Sequence, residues 1–428
     1  MEKAKKKCNP LWHYVAKNLW RYLIAAVTMG ISILLDIWFP LITMGIVDNV
    51  IIGGNMGMLR NYLISILIVG FGRAASQYIK EFTCDVTGSI VASDVRKNLF
   101  CHIQTLSRTY FDKNNTGDLM ARVKDDVDRL WDVFGFVGML AVEACAYTIG
   151  VLVFMVRLNW KLSLIPVAIL PIMGVMAIRL EKKLDKVYDE ISEQNAVLNT
   201  VVQENLGGVR TVRAFAREDY EMEKFRQNNE KYYELNVHQA EIMADFEPKM
   251  SFLPKIMQLL VLLTGGYAVI QGSATLGMLT AFLQYANNIV WPMENLGWLT
   301  NAVAAAFASN KKINKILAEE PQIKNRENAE ELKDPQGNLR FDHVSFELHG
   351  TPILEDINFE LEQGHTLGIM GMTGAGKSTI VSLINRFYDV NEGSIKVDGT
   401  DIRHLTRASL RKNIGMVLQE TWLKDGTI

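Results

Sequence analysis

The sequence predicts two architectures in one chain. One is an α-helical membrane domain of six long transmembrane helices with cytoplasmic extensions. The other is part of an α/β P-loop (RecA-like) nucleotide-binding domain. Three observations carry this. Six apolar runs lie in the first three hundred or so residues, several long enough to cross a bilayer, which takes ~20 residues of helix. The polar stretches between them keep apolar positions at helical spacing. The last ninety or so residues change to strand-like alternation around a Gly-rich octet, Gly371–Ser378. Averaging hides this division, since the whole chain is 49% hydrophobic and 21% charged with a net charge of -2. That near-neutral balance gives no argument for nucleic acid as a partner. Cys8, Cys84, Cys101 and Cys145 are scattered, with neither C-x-x-C nor metal-ligand spacing, and read as reduced bystanders.

The predicted spans are Tyr22–Val47, Tyr62–Tyr78, Phe136–Val156, Leu162–Ile178, Met250–Ile270 and Leu276–Ala306. The second and fourth are short and rest partly on context. Six such runs in series do not fit the core of a soluble helical protein. Lys3, Lys5, Lys6 and Lys7 resemble the basic start of a signal peptide. The apolar run that follows begins too late and runs too long, without a clear small-residue cleavage site, so residues 1–18 are expected to be a retained cytoplasmic segment. Orientation follows from Lys and Arg in the loops. DNVIIGGNMGM and QGSAT carry none, while the stretches after spans two and four hold Arg179, Lys182, Lys183, Lys186, Arg210, Arg213 and Arg217. RLNWKLS, with Arg157 and Lys161, fits less well. The positive-inside rule places the long segments, the N-terminus and the last ninety residues in the cytoplasm of a multi-pass cell-membrane protein.

Between spans four and five, no Pro interrupts the chain from Pro171 to Pro248. Two antiparallel helical arms of about 30 residues would each reach ~45 Å at ~1.5 Å per residue. Gly207-Gly208 is a candidate turn between them, and REDYEMEKF, with Tyr220 and Phe225, a candidate tip helix. After span two, Asn114-Asn115-Thr116-Gly117 is turn chemistry beside Tyr110 and Phe111. Both tips could be ordinary solvated hairpins. Aromatic residues at the end of an isolated hairpin favour contact surfaces instead.

A polar linker, predicted over 311–338, separates the membrane domain (19–310) from the nucleotide-binding part (339–428). LRFDHVSFE and LEDINFELE alternate as half-buried strands do. HTLGIMGMTGAGKSTIVSLINRF then supplies a predicted strand (Thr366–Met370), the octet, and an amphipathic helix (Ile380–Phe387). Gly371, Gly374 and Gly376 let backbone N–H groups turn inward as an anion nest, to which Met372, Thr373, Ala375 and Thr379 add their amides. The helix beginning near Lys377 directs its positive end at phosphates. Lys377 would reach the β- and γ-phosphates of ATP, and the Ser378 hydroxyl would ligate Mg²⁺.

Taken together, these residues resemble an ABC exporter half-transporter, six transmembrane helices fused to one nucleotide-binding domain. The resemblance covers nearly the whole chain. YFDKNNTGDLMARVKDDVDRL resembles the first intracellular coupling segment, including Asp112, and QENLGGVRTVRAFAREDYEMEKF the second. LGMLTAFLQYANNIVWPM resembles the sixth helix. The resemblance implies a homo- or heterodimer of halves, a substrate that is a drug, lipid or peptide, ATP sandwiched between two domains, and alternating access. Gln419 falls where the family has its Q-loop glutamine, a sensor of the γ-phosphate and Mg²⁺. Two departures stand out. Leu348 occupies the position of the adenine-stacking aromatic, with His349 beside it, which implies weaker adenine binding as in one member of an asymmetric pair. The signature motif, the Walker B Asp with its Glu, and the switch His all follow the Q-loop in the family. Met416 reads as part of an interrupted strand, so the expectation is an incomplete chain.

Inside the predicted spans, Asp36 and Glu143 are carboxylates at membrane depth. Glu143 either meets a cationic group of a substrate or protons, or is hydrogen-bonded between helices. Asp36, near Trp38 and Pro40, is expected near the outer boundary. Asn287, Asn288 and Glu294 are further pathway candidates, and Pro292 marks a flexible point of the sixth helix.

Overall fold

The computed structural model describes residues 11–348 and 350–417. The helices in chain order are α1 (Leu11–Lys17), α2 (Leu19–Gly45), α3 (Leu59–Thr105), α4 (Arg108–Lys113), α5 (Thr116–Ala121), α6 (Val127–Phe134) and α7 (Phe136–Leu158). Then follow α8 (Trp160–Gly207), α9 (Val209–Ala214), α10 (Glu218–Ile270), α11 (Leu276–Asn288), α12 (Val290–Ala318), α13 (Lys377–Ile384) and α14 (Arg407–Lys412). The strands are β1 (Leu339–Leu348), β2 (Thr351–Leu361), β3 (Glu392–Val397) and β4 (Thr400–Asp401). They fall into two compact units. One runs up to Arg96 and resumes over Lys124–Ile313; the other joins Lys97–Val123 to Asn314 and beyond.

Among the described residues, five helical stretches are long and apolar enough to cross a membrane. Their most apolar windows are only 11% to 39% buried within the chain. Apolar surface on that scale needs lipid or another chain against it. Local chemistry sets the ends. The Asn159 side chain accepts from the N–H groups of Lys161 and Leu162 and starts α8, and Thr275 does the same for Met278 at α11. Gly207 ends α8, and the neighbouring Gly208 lets the chain turn into α9. α8 and α10 pack side by side as the two predicted arms. The inner core gathers Ile37, Met155, Met173, Met257, Phe282 and Tyr285. The Tyr285 hydroxyl donates to the Ile37 carbonyl at 2.6 Å, tying α11 to α2.

The sixth predicted span is not one helix. It is broken at Ile289 into α11 and α12. Pro292 is the physical cause at hand, because it has no N–H to give the carbonyl of Asn288 four residues earlier. The predicted tip helix is also corrected. Glu218–Phe225 is the start of α10, and the tip is α9 instead. A run of acidic residues, Glu218, Asp219 and Glu221, suits the first turn of a long helix.

In the second unit the sheet has the order β2-β1-β3-β4, with every pair antiparallel. β1 buries Phe341, Val344 and Phe346 against Leu354, Leu383 and Ile395. The rings of Phe341 and Phe359 stack across the β1–β2 pair at 4.4 Å. Thr366–Met370, predicted as a strand, is not one; it is exposed throughout. Residues 414–417 are not a strand either: Ile414 is partly buried against the domain core, while Val417 is 94% exposed. The sequence predicts the interrupted strand around Met416 over Ile414–Leu418, and Leu418 lies outside the described residues. A strand exists only through its neighbours, and neither segment has a pairing partner among the described residues.

Candidate functional site

The Gly-rich octet forms a tight loop opening into α13. Gly374 has φ +86° and Gly376 φ +82°, both in the left-handed region. A Cβ on Gly376 would sit 2.7 Å from Leu354 Cδ2 and 3.1 Å from the Ile353 carbonyl, so β2 presses directly on the loop. Lys377 Nζ donates to the carbonyls of Gly371 (2.9 Å) and Met372 (2.7 Å), folding its ammonium over the loop. The Ala375 N–H is spent on Met372 and that of Thr379 on Gly376. Among the described residues the N–H groups of Gly374, Gly376, Lys377 and Ser378 have no carbonyl partner. Unpaired donors at a helix start beside an ammonium make an anion site. Met372, Thr373 and Ser378 are exposed. Leu348 closes β1 opposite Thr351 and is partly buried in the domain core. Gln419 and His349 lie outside the described residues.

In the same unit α4 sits against the sheet domain. Asp112 Oδ2 accepts from the Tyr388 hydroxyl at 2.6 Å, while Oδ1 pairs with Arg108 at 3.2 Å. Phe111 borders a cavity of about 550 Å³ whose far wall includes Phe387, Arg407 and Arg411. Tyr110 stands edge-on to Phe111 at 6.0 Å. The Tyr388 phenol is pushed up to about 12, first by burial and then by the Asp112 carboxylate. Its hydroxyl form therefore holds the contact fully below pH ~10, the ordinary tyrosine value, and loses it as pH rises through the raised value. Tyr388→Phe should weaken the seat of α4 by ~1 kcal/mol, read as roughly fivefold faster hydrogen exchange in α4 at neutral pH. Unchanged exchange would show that Phe111 alone seats the helix.

Within the membrane unit, a cavity of about 420 Å³ is lined by Asp36, Arg73, Gln77, Glu143, Tyr147 and Asn288, among others. Lys80 is 0% exposed and donates at 2.7 Å to both Glu143 oxygens and to Gln77 Oε1. Asp36 pairs with Arg73 at 2.7 Å. The Asp36 carboxylate is thus not at a helix end: roughly 24 Å of helix at ~1.5 Å per residue separates it from Ile52. Asn288, last residue of α11, reaches the cavity; Glu294 is exposed and is not among its lining residues.

The profile of the ABC transporter transmembrane region matches residues 22–293, and a profile described as ABC transporter matches 354–428. The chain belongs to the ABC transporter family. An uncharacterized ABC transporter ATP-binding protein of Bacillus subtilis is 32% identical over 92% of this chain and 69% of its own length. The ATP-dependent lipid A-core flippase of Syntrophus aciditrophicus is 30% identical over 95% of this chain and 68% of its own. A putative multidrug export ATP-binding/permease protein of Bacillus subtilis is 31% identical over 91% and 68%. This transporter is therefore a multi-pass membrane protein carrying an ATP-binding region of a family of transport ATPases.

At the far end of the arms, Leu206, Phe215, Tyr220 and Met222 of the ABC transporter are all at least 60% exposed. Phe225 lies in a shallow apolar groove with Leu206, Val209 and Val212. Sequence reasoning named Tyr220 and Phe225 but passed over Leu206 and Val209. Asn205 and Glu204 bind Glu221 (2.9 Å) and Lys224 (3.1 Å) across the hairpin and so fix its tip. Arg73, Gln77 and Lys80 were also passed over. Their spacing of four and three puts them on one face of α3, a signal present in the sequence.

Proposed function

We propose that this chain is one half of a dimeric ABC exporter that moves a hydrophobic or amphipathic substrate across the membrane by alternating access, driven by ATP. The observation that carries this is the Gly371–Thr379 loop, with unpartnered N–H groups and the Lys377 ammonium folded over it. The loop amides and Lys377 would hold the phosphates, and Ser378 would ligate Mg²⁺, with Gln419 as its expected second ligand. Bound ATP supplies the hydrolysable phosphoanhydride. Lys377 would exchange two carbonyl acceptors for phosphate oxygens, a charge-assisted contact of greater strength. Tyr110, Phe111 and Asp112 would carry motion from the nucleotide-binding domain to the spans, and the α9 tip, with Tyr220 and Phe225, would dock on the second half-transporter chain. The lipid bilayer covers the outer apolar faces, and the positive-inside pattern puts the nucleotide site in the cytoplasm.

Relatives named for a lipid A-core flippase and for multidrug export support an amphipathic substrate. The partly buried Leu348 supports a second reading, a degenerate half that binds ATP weakly and works beside a stronger partner. A fluorescent-ATP titration of the purified chain in nanodiscs, with and without Mg²⁺, tests both. Saturable Mg²⁺-dependent binding that falls about tenfold in Lys377→Ala is expected, the loss of one charge-assisted anchor. Binding unaffected by Lys377→Ala would overturn the nucleotide site.

A further inference from the structure

Three charges line the membrane cavity, Asp36, Arg73 and Glu143, and with Lys80, buried behind Glu143, they form two pairs that differ. The Lys80–Glu143 pair is closed: Lys80 is fully buried and its three N–H groups are all accounted for by Glu143 and Gln77. The Asp36–Arg73 pair is open. The Arg73 side chain is 55% exposed, and Asp36 is its one partner among the described residues. Beside the pair, Tyr147 is 7% exposed, yet its hydroxyl makes no hydrogen bond of ordinary geometry, although it lies near Asp36 and Asn288. Asn288 adds a carboxamide at the α11–α12 break, and Trp291 an aromatic wall.

Depth is consistent among these groups. Asp48 on the α2 side accepts from Thr275 and from the Gly277 N–H at the start of α11, so those helix ends lie together. Measured from that end at ~1.5 Å per residue, Arg73 lies roughly 21 Å along α3 and Asn288 roughly 18 Å along α11. That is about half of a bilayer ~40–45 Å thick with its head-group regions. A head group there has little water to solvate it, and the site around it has no net charge. A singly charged head group would leave one charge uncompensated in a poorly solvated place. A head group with both signs can give its anion to the free N–H groups of Arg73 and its cation to Asp36, with the Tyr147 hydroxyl and Asn288 meeting the polar atoms between.

We propose that this cavity is the head-group subsite for a zwitterionic lipid-like amphiphile. This rests on the exporter reading and names its substrate class. Mixed-sign recognition has a specific consequence: removing one charge should not simply weaken binding but redirect it.

The test is equilibrium binding of three radiolabelled single-chain amphiphiles with the same tail to the detergent-free chain in peptidiscs. Their head groups are phosphocholine, phosphoglycerol and trimethylammonium. Wild type should favour phosphocholine by about tenfold. Arg73→Gln should shift preference toward trimethylammonium, and Asp36→Asn toward phosphoglycerol. The double variant D36N/R73Q strands no charge and should lose the preference while still binding all three weakly. Asn288→Ala touches no charge and should weaken phosphocholine binding severalfold. One head-group order shared by all these proteins, or a wild-type preference for a charged head group, overturns the proposal. Binding is read without ATP or transport. Failure here with ATP-driven export intact sinks only this inference, and export failure with binding intact sinks the exporter reading.

Discussion

Lys80→Met is expected to destabilise the membrane unit by about 3–5 kcal/mol, while the double variant Lys80→Met/Glu143→Leu recovers most of that loss. The asymmetry comes from what each change leaves behind. Lys80 has no exposed surface, and Glu143 is 16% exposed at its side chain. Losing the ammonium strands a carboxylate between α3 and α7 whose one ion-pair partner among the described residues was Lys80, the nearby Arg73 being engaged by Asp36. Losing both groups exchanges a costly desolvated pair for apolar packing of similar size, which is often neutral or favourable. Gln77 keeps a partner in either case, because its Nε2 donates to Glu81. Thermal aggregation followed by size-exclusion chromatography in detergent gives the comparison. A double variant as unstable as the single one would show that Lys80 acts through packing of its long side chain rather than through its charge.

The legible parts of this transporter were the local ones. Gly207-Gly208 and Asn115 terminate or start helices through contacts within a few residues, and such chemistry is written in the sequence. Alternation gave β1 and β2 because one face of each packs on a core. The polar cavity was half legible. Glu143 and Asn288 stood out as polar residues in apolar runs. Of the basic partners, Arg73 falls inside the predicted span Tyr62–Tyr78 and Lys80 just past its end, where charge is read as the end of a span. The pairing itself is invisible to periodicity: Lys80 and Glu143 are 63 residues apart, and Tyr388 and Asp112 are 276 apart. Thr366–Met370 fails for a related reason. Its apolar pattern describes a residue type suited to a sheet interior, but a strand is a relation between segments. That Ala375 and Thr379 spend their N–H groups inside the loop was not legible. The glycines of the octet were, because left-handed backbone costs least at glycine, as at Gly374 and Gly376.

That last point separates two glycines that look alike in the sequence. Gly374→Ala and Gly376→Ala should both weaken ATP binding, but unequally. Each puts a Cβ into left-handed backbone, at ~1–2 kcal/mol, so up to about thirtyfold in affinity if the loop must keep its shape to bind. At Gly374 nothing lies within 4 Å of the new methyl, so strain is the whole cost. At Gly376 the methyl meets Leu354 Cδ2 at 2.7 Å and the Ile353 carbonyl at 3.1 Å. Leu354 is buried in the β1–β2 core and has little room to retreat, and a backbone carbonyl has less. The α13 start must move instead, taking Lys377 and Ser378 with it. Displacing an ammonium and its neighbouring N–H groups from phosphate removes charge-assisted bonds as well as adding strain. A loss on the order of a hundredfold or more is expected for Gly376→Ala in the fluorescent-ATP titration. The variant Gly376→Ala/Leu354→Ala discriminates further. It clears the side-chain collision and leaves the strain, so it should return part of the lost affinity. Equal losses for Gly374→Ala and Gly376→Ala would mean that β2 does not buttress the loop when phosphate is bound.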